Sequence, residues 1–335
     1  MYNTIETIPH AMAQLDSSGL HLPFLLATHD CYPSDSAYQW LEPIANRLAA
    51  QGDARPSCSI LSISGQNASC LDPKGASDGV EEPALELQPE RSLLPILQYA
   101  QTVQAGLLAV HWRAKTRLEP TSTDLGMAIA RYATCPVLVL PDEQDASQKP
   151  SWDHALLVIN ASEAAKGAIA VTRQLVSAGI RRVTILCIHP PLNTHYLFGP
   201  FATPTPNWQL NQSLRQAQYD QSQSLARQAK NALHLADGDV QTLVQMSESG
   251  TLICSVAQQH RADVIILGSD APKRLSLAHY HPKFRPDRLT PVAEDVIRHS
   301  RCPVLLCRAM SSPPTIRRFA LPKLKLHTPA TAKPR

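Results

Sequence analysis

No apolar run in this sequence approaches the ~20 residues that a membrane-spanning helix needs. The longest, such as Ala155 to Ile159, Val264 to Leu267 and Val304 to Cys307, stop far short of it, and no membrane span is predicted. The opening MYNTIETIPHAMAQL lacks a basic segment followed by an apolar one, so no secretory signal is expected and the cytoplasm is the default compartment. The eight cysteines, at positions 31, 58, 70, 135, 187, 254, 302 and 307, form no CxxC pair and no Cys/His grouping at zinc spacing. They read as buried, reduced thiols. GxSxG, Walker A, HExxH and the Gly-rich dinucleotide fingerprint are also absent, so no catalytic or metal-ligating residue is assigned and the chain reads as a non-enzyme. A net charge of +3 is too small to imply nucleic acid. The charge is uneven, however: Arg308 to Arg335 holds seven Lys or Arg and no acidic residue.

What is present is an internal repeat. AGLLAVHWRA, from Ala105, and TDLGMAIARYATCPVLVL, ending at Leu140, match ADVIILGSDA, from Ala262, and TPVAEDVIRHSRCPVLLC, ending at Cys307. From first Ala to shared Cys the separations are 135 − 105 = 30 and 302 − 262 = 40, so the second copy carries ten extra loop residues. With 335 residues and 44% hydrophobic content, two domains are expected.

Each copy reads as alternating strands and helices. In the second, His154 to Asn160, Val183 to Ile188, Val240 to Met246, Ala262 to Gly268 and Cys302 to Arg308 are continuous enough in apolar character for parallel strands covered on both faces. Helices are predicted over Glu163 to Ala178, closed by Gly179, over Asn211 to Leu235 and over Gly250 to Gln259. A last helix begins with Thr290 as N-cap and Pro291 at its first position. In the first copy Phe24 to Thr28, Ser57 to Ser64, Ala84 to Gln88, the run from Ala105 and Cys135 to Leu140 are the strands; Ala37 to Ala50, Leu93 to Val103 and the run from Thr123 are the helices. The terminal strands, CPVLVL and CPVLLC, are equivalent apolar edges and are expected to lie against each other across a pseudo-twofold axis.

These residues resemble the universal stress protein family. LLVINASE is similar to that family's opening LVAIDGSE, MSESGTLICSVAQQHRADVIILGS to its central stretch, and VAEDVIRHSRCPVLLCR to its ending. The resemblance implies a fold of two tandem open parallel five-stranded sheets flanked by helices, of the adenine nucleotide alpha hydrolase-like kind. Its expected divisions are a degenerate domain over 20–141, a linker over 142–151, a second domain over 152–309 and a basic, Pro-rich tail over 310–335.

Family members that bind ATP use Gly-x-x-Gly, nine residues, then Gly-Ser/Thr, where bare backbone approaches phosphate closely, and an Asp at the end of the first strand. Here Gly268 matches the first glycine, Ala271 replaces the second and Leu289 replaces the glycine before Thr290. The interval Pro272 to Arg288 is 17 residues long. Asn160 and Ala161 stand where the family has Asp and Gly. The resemblance thus makes Asn160, Ala161, Ile188, Leu267, Gly268, Arg285, Thr290, Pro291 and Val292 the nucleotide-binding candidates, for ATP or AMP. The loop's Lys273, Arg274, Lys283, Arg285 and Arg288, with His279 and His281, either grip phosphate by charge or form a solvated insertion. In the first copy His29, Asp30, His111 and Trp112 end strands, with no glycine in that loop.

Three functions follow as alternatives: a non-enzymatic stress regulator with weakened or lost ATP binding, acting on an unidentified protein client; an adenine-nucleotide sensor working through the second copy; and an interaction module using the basic tail. That tail could reach nucleic acid or an acidic membrane surface, but with a single aromatic, Phe319, and no base-stacking pattern it reads as a solvated tail and nucleic acid is not the expected partner. A homodimer stays open beside the in-chain pairing.

Overall fold

Strands that are apolar throughout cannot leave a face in water, and in the computed structural model the strand His154–Ile159 is buried at every position. The structure describes residues 20, 23–28, 35–51, 58–62, 93–112, 125–141, 151–189, 208–247, 249–269 and 289–308. The first half runs β1 (Phe24–Thr28), α1 (Asp35–Gln51), β2 (Cys58–Ser62), α2 (Leu93–Thr102), β3 (Leu107–Trp112), α3 (Leu125–Tyr132) and β4 (Val137–Pro141). The second runs β5 (His154–Ile159), α4 (Ala164–Ser177), β6 (Arg182–His189), α5 (Trp208–Leu233), β7 (Val240–Met246), α6 (Gly250–Gln259), β8 (Val264–Ser269), α7 (Pro291–His299) and β9 (Val304–Arg308). The strand expected at Ala84 to Gln88 lies outside the described residues.

All nine described strands join one sheet, in the order β2-β1-β3-β4-β9-β8-β5-β6-β7. Neighbours are parallel except β4 and β9, which run antiparallel with Val137 opposite Leu306, Leu138 opposite Leu305 and Val139 opposite Val304. The mostly parallel α/β architecture expected from the sequence is present, and the terminal strands CPVLVL and CPVLLC lie against each other as expected, so that the strands of both halves form one continuous sheet. An unpaired apolar edge exposes a row of backbone donors and acceptors, and at this seam each of the two strands satisfies the other.

Two helical layers cover the sheet, and each encloses a core that crosses the seam. On one face Trp40, Leu41 and Ile44 of α1 share a cluster with Ala168 and Val171 of α4 and with Ala226 and Ala229 of α5. On the other, Ile96 of α2 and Met127 and Ile129 of α3 share one with Ile253 of α6 and Val296 of α7. Polar contacts add to the seam. Trp152 Nε1 donates to the Trp40 carbonyl at 3.1 Å, and their rings meet edge to face at 5.8 Å. Arg131 of α3 pairs with Glu294 of α7 at 2.8 Å.

Local signals act as the sequence suggests, with one shift of a position. Gly179, at φ +110°, follows the cap residue Ala178: its N–H donates to Val176 O and that of Ile180 to Leu175 O, the paired bonds of a Schellman end that favours glycine. Thr290 caps α7, accepting from Ala293 N at 3.3 Å, with Pro291 in the first turn.

Candidate functional site

In an open α/β sheet, ligands gather where adjacent strands leave in opposite directions, at the strands' C-terminal ends. From β5 the chain winds outward to β6 and β7 and then crosses to β8 and β9, so this crevice opens at Asn160, after β5, and Gly268–Ser269, which end β8. Six of the nine candidates surround it: Asn160, Ala161, Leu267, Gly268, Thr290 and Pro291. Ile188 lies one strand away at the end of β6, and Val292 is half-buried in the first turn of α7. Arg285 and the remainder of the Pro272 to Arg288 loop lie outside the described residues, as do His29 and Asp30. Of His111 and Trp112 only the backbone, which ends β3, is described.

Several of these residues already have structural work. A Cβ on Gly268 would lie 2.3 Å from the Ala164 carbonyl oxygen and 2.8 Å from Ala165 N, because the first turn of α4 rests directly on this end of β8. Glycine is required there for helix–strand contact, with or without a phosphate. Asn160 Oδ1 accepts from Ser162 Oγ at 2.6 Å and from Ser162 N at 3.2 Å, closing an Asx turn that leads into α4. Leu289, where the resemblance would have glycine, is only 4% exposed and packs in the core with Ala293 and Val296.

Two residues at this edge escape a sequence reading. His189 ends β6, and its Nδ1 is buried without a hydrogen-bond partner. Arg308, expected at the end of the strand Cys302 to Arg308 but given no role there, is the buried last residue of β9. Its guanidinium donates to Ser269 Oγ at 3.2 Å, to the Ala130 carbonyl at 2.6 Å and to the Cys135 carbonyl at 3.4 Å. Among the described residues no carboxylate pairs with it. Its counter-charge is the C-terminal end of α3, whose last carbonyls carry the negative pole of the helix. Burial pulls its pKa down to about 10, against partial compensation from Cys135 and Cys307, so it stays charged at neutral pH. A register rule would have found it, since Ser269 stands opposite Arg308 where β8 meets β9.

The five described thiols are held unreactive by burial. Desolvation raises Cys135 to about 11 and, aided by Cys302 and Asp295, Cys254 to about 12, and it also raises Cys187, Cys302 and Cys307. Among the described residues no group of three or more His, Cys, Asp or Glu could hold a metal ion, and no helix is long and apolar enough to cross a membrane.

Residues 151–308 match the model of the Universal stress protein family. This segment is a universal stress protein domain. A universal stress protein from Archaeoglobus fulgidus superposes on 85% of the chain and 98% of its own, with TM-score 0.52 and 14% identity. A protein of the universal stress protein family from Burkholderia pseudomallei covers 46% of this chain and 95% of its own, at 16% identity and TM-score 0.27. A universal stress protein in complex with cAMP covers 48% and 98%, at 12% identity and TM-score 0.29. At 14% identity the likeness to the Archaeoglobus fulgidus protein is one of fold. No curated protein sequence matches the chain.

Proposed function

We propose that the chain is a non-enzymatic regulator of the universal stress protein type, acting in the cytoplasm on a protein client. Its first half, over residues 20–141, serves in cis as the partner of the second domain, over 152–309. Adenine nucleotide, ATP or AMP, binds weakly if at all and only in the second domain. The observation that carries this reading is the use made of the glycine positions. Gly268 is held to glycine by the first turn of α4, and Leu289 belongs to the core, so the bare backbone that would cradle phosphate is reduced to a short stretch. The pairing of β4 with β9 supports the in-cis partnership, because it fills the terminal edge of each half.

A second reading, an adenine-nucleotide sensor, is favoured by His189. Its buried, unpartnered Nδ1 at the strand ends offers a polar group that a bound base could satisfy. Mass spectrometry of the protein purified without added ligand and then denatured separates the two: the regulator releases no nucleotide, the sensor releases ATP or AMP. Calorimetric titration with ATP at low and high salt then tests the weak site. Phosphate held by the loop's basic side chains should bind less tightly as salt rises and after Arg285→Ala. Tight binding indifferent to both would overturn the proposal.

A further inference from the structure

The crevice lies where the strands of the second domain end; a separate cleft of about 540 Å³ lies where β5, β6 and β7 begin. Its walls are Asp153 before β5, Gly179, Ile180 and Arg181 before β6, Leu235 and Asp239 before β7, and Arg47 from α1 of the first half. That volume falls within the range of sites for small organic ligands. Two arginines and two aspartates line it, yet among the described residues none of the four side chains makes an ion pair. The charges cancel in sum but not in place. Opposite charges that border one space without meeting leave a field across it, which a ligand carrying one charge of each sign can satisfy at both ends.

The backbone around the cleft is fixed. Arg47 lies over Gly179, where a Cβ would come within 3.2 Å of Nη1 and 3.5 Å of Cζ, so a residue without a side chain admits the guanidinium. The Asp153 N–H donates to Asp263 Oδ2 at 2.9 Å, and the Asp153 carbonyl accepts from Arg181 N and Arg182 N at 3.0 and 2.9 Å. Of its carboxylate, Oδ2 accepts from Ser151 Oγ at 3.1 Å. Asp239 closes the turn Asp237–Asp239, with its N–H on the Ala236 carbonyl at 3.0 Å. Ile180, buried, and Leu235, half-buried, supply apolar surface. We propose that this cleft binds a short peptide with both ends free, its carboxylate held by Arg47 and Arg181, its ammonium by Asp153 and Asp239, and an apolar side chain set against Ile180 and Leu235. A guanidinium matches a carboxylate with parallel N–H groups, and an ammonium offers three donors to acceptor-only carboxylates. The space exceeds what one free amino acid fills, which favours a peptide. Because Arg47 belongs to the first half, the bound peptide ties α1 to the second domain, at the opposite ends of the strands from any nucleotide.

Calorimetric titration of the full chain with the dipeptide leucyl-leucine tests the assignment. Leucyl-leucine should bind, and free leucine, N-acetyl-leucyl-leucine and leucyl-leucinamide should each bind about tenfold or more weakly. Arg47→Ala should narrow the preference for the free carboxylate over the amide, and Asp239→Asn the preference for the free amine over its acetylated form. Both side chains are exposed, so unfolding temperatures should stay close to native. Deuterium uptake of the native protein gives a reading free of substitution: uptake over residues 178–182 and 235–240 should fall when leucyl-leucine is added. No heat at millimolar leucyl-leucine, free leucine or end-blocked peptides that bind as tightly, variants that keep both preferences whole, or uptake unchanged by the peptide would each overturn the proposal.

Discussion

Strands β4 and β9 enter the seam alike, each following Cys-Pro, and leave it differently: β4 ends in Pro141, β9 in Arg308. At the equivalent ends of β3 and β8 stand His111 and Gly268. The halves thus share the apolar pattern that builds the sheet and differ at the positions where backbone approaches backbone or where a charge reaches across. Arg308 reaches from the second half to cap the end of α3 in the first; Pro141 has no donor to return. The first turn of α4 sits on Gly268, an approach that a residue without Cβ allows, and the first half has histidine at the equivalent position. A repeat can keep its fold through apolar periodicity alone, while a crevice needs particular small residues, and only the second half retains even one.

The largest effect should come from closing that close approach. Gly268→Val places branched carbon against the Ala164 carbonyl, where even a Cβ would lie 2.3 Å away. The obstacle is helix backbone, which cannot swing aside as a side chain can. We expect a loss of about 4 kcal/mol or more, or failure to fold, measured by urea denaturation. His111→Val at the equivalent position of the first half should change stability much less. Equal losses at the two sites would show that the halves are built alike at their strand ends.

Next in size is the cap across the seam. Arg308→Met keeps length and apolar stem but leaves Ser269 Oγ and the Ala130 and Cys135 carbonyls short of a donor in buried surroundings. Removing a buried charge gives some of this back, so the net loss should be about 3 kcal/mol. Arg308→Lys, with one charged tip in place of a planar fork, should fall between the two. Hydrogen exchange should quicken first in α3, since that helix loses its cap; exchange that quickens only in β8 and β9 would contradict the assigned role.

The thiols give a smaller, pH-dependent contrast. An unfolded thiol ionises near 9.0, while burial holds Cys135 at about 11 and Cys254 at about 12. The stability these groups contribute is therefore complete below pH 9 and is lost as pH rises toward 11 to 12. Arg308 works the other way: held at about 10 against 12.5, it adds stability between those values. Five described thiols are raised against a single lowered guanidinium, and four of the five lie in the second half, so stability should fall above pH 9. Cys254→Ala should flatten that fall more than Cys135→Ala.

Much of the sheet was legible because parallel strands buried on both faces are written as unbroken apolar runs. Val240 to Met246 and Gly250 to Gln259 have the same limits in sequence and structure, and the α7 cap follows from Thr290-Pro291. The crevice was legible only in position. Motif spacing drew notice to Gly268 for phosphate, yet its contact is with Ala164, more than a hundred residues away, which no local pattern reports. The sequence places Arg308 at a strand end but does not mark it as interior: a charge there reads as surface, and its register opposite Ser269 shows it to be buried. His189 ends an apolar strand with nothing in its neighbours to mark its ring as unpartnered.

The smallest effect expected is at Arg131 and Glu294, the one ion pair described between the helices that flank the seam. Arg131 Nε and Nη2 both reach the same oxygen, Glu294 Oε1, at 3.0 and 2.8 Å, so the contact lacks the two-oxygen fork that makes arginine–carboxylate pairs strong. The side chains are 32% and 22% exposed, and water and salt screen what attraction remains. The seam itself is carried by β4–β9 pairing, by the two continuous cores and by Trp40 with Trp152, none of which depends on this pair. A double-mutant cycle with Arg131→Ala and Glu294→Ala should accordingly give a coupling of about 0.5 kcal/mol that shrinks further in high salt. A coupling of 2 kcal/mol or more would mean that α3 and α7 are held together by charge, and the two halves would then be less continuous in their packing than the shared cores imply.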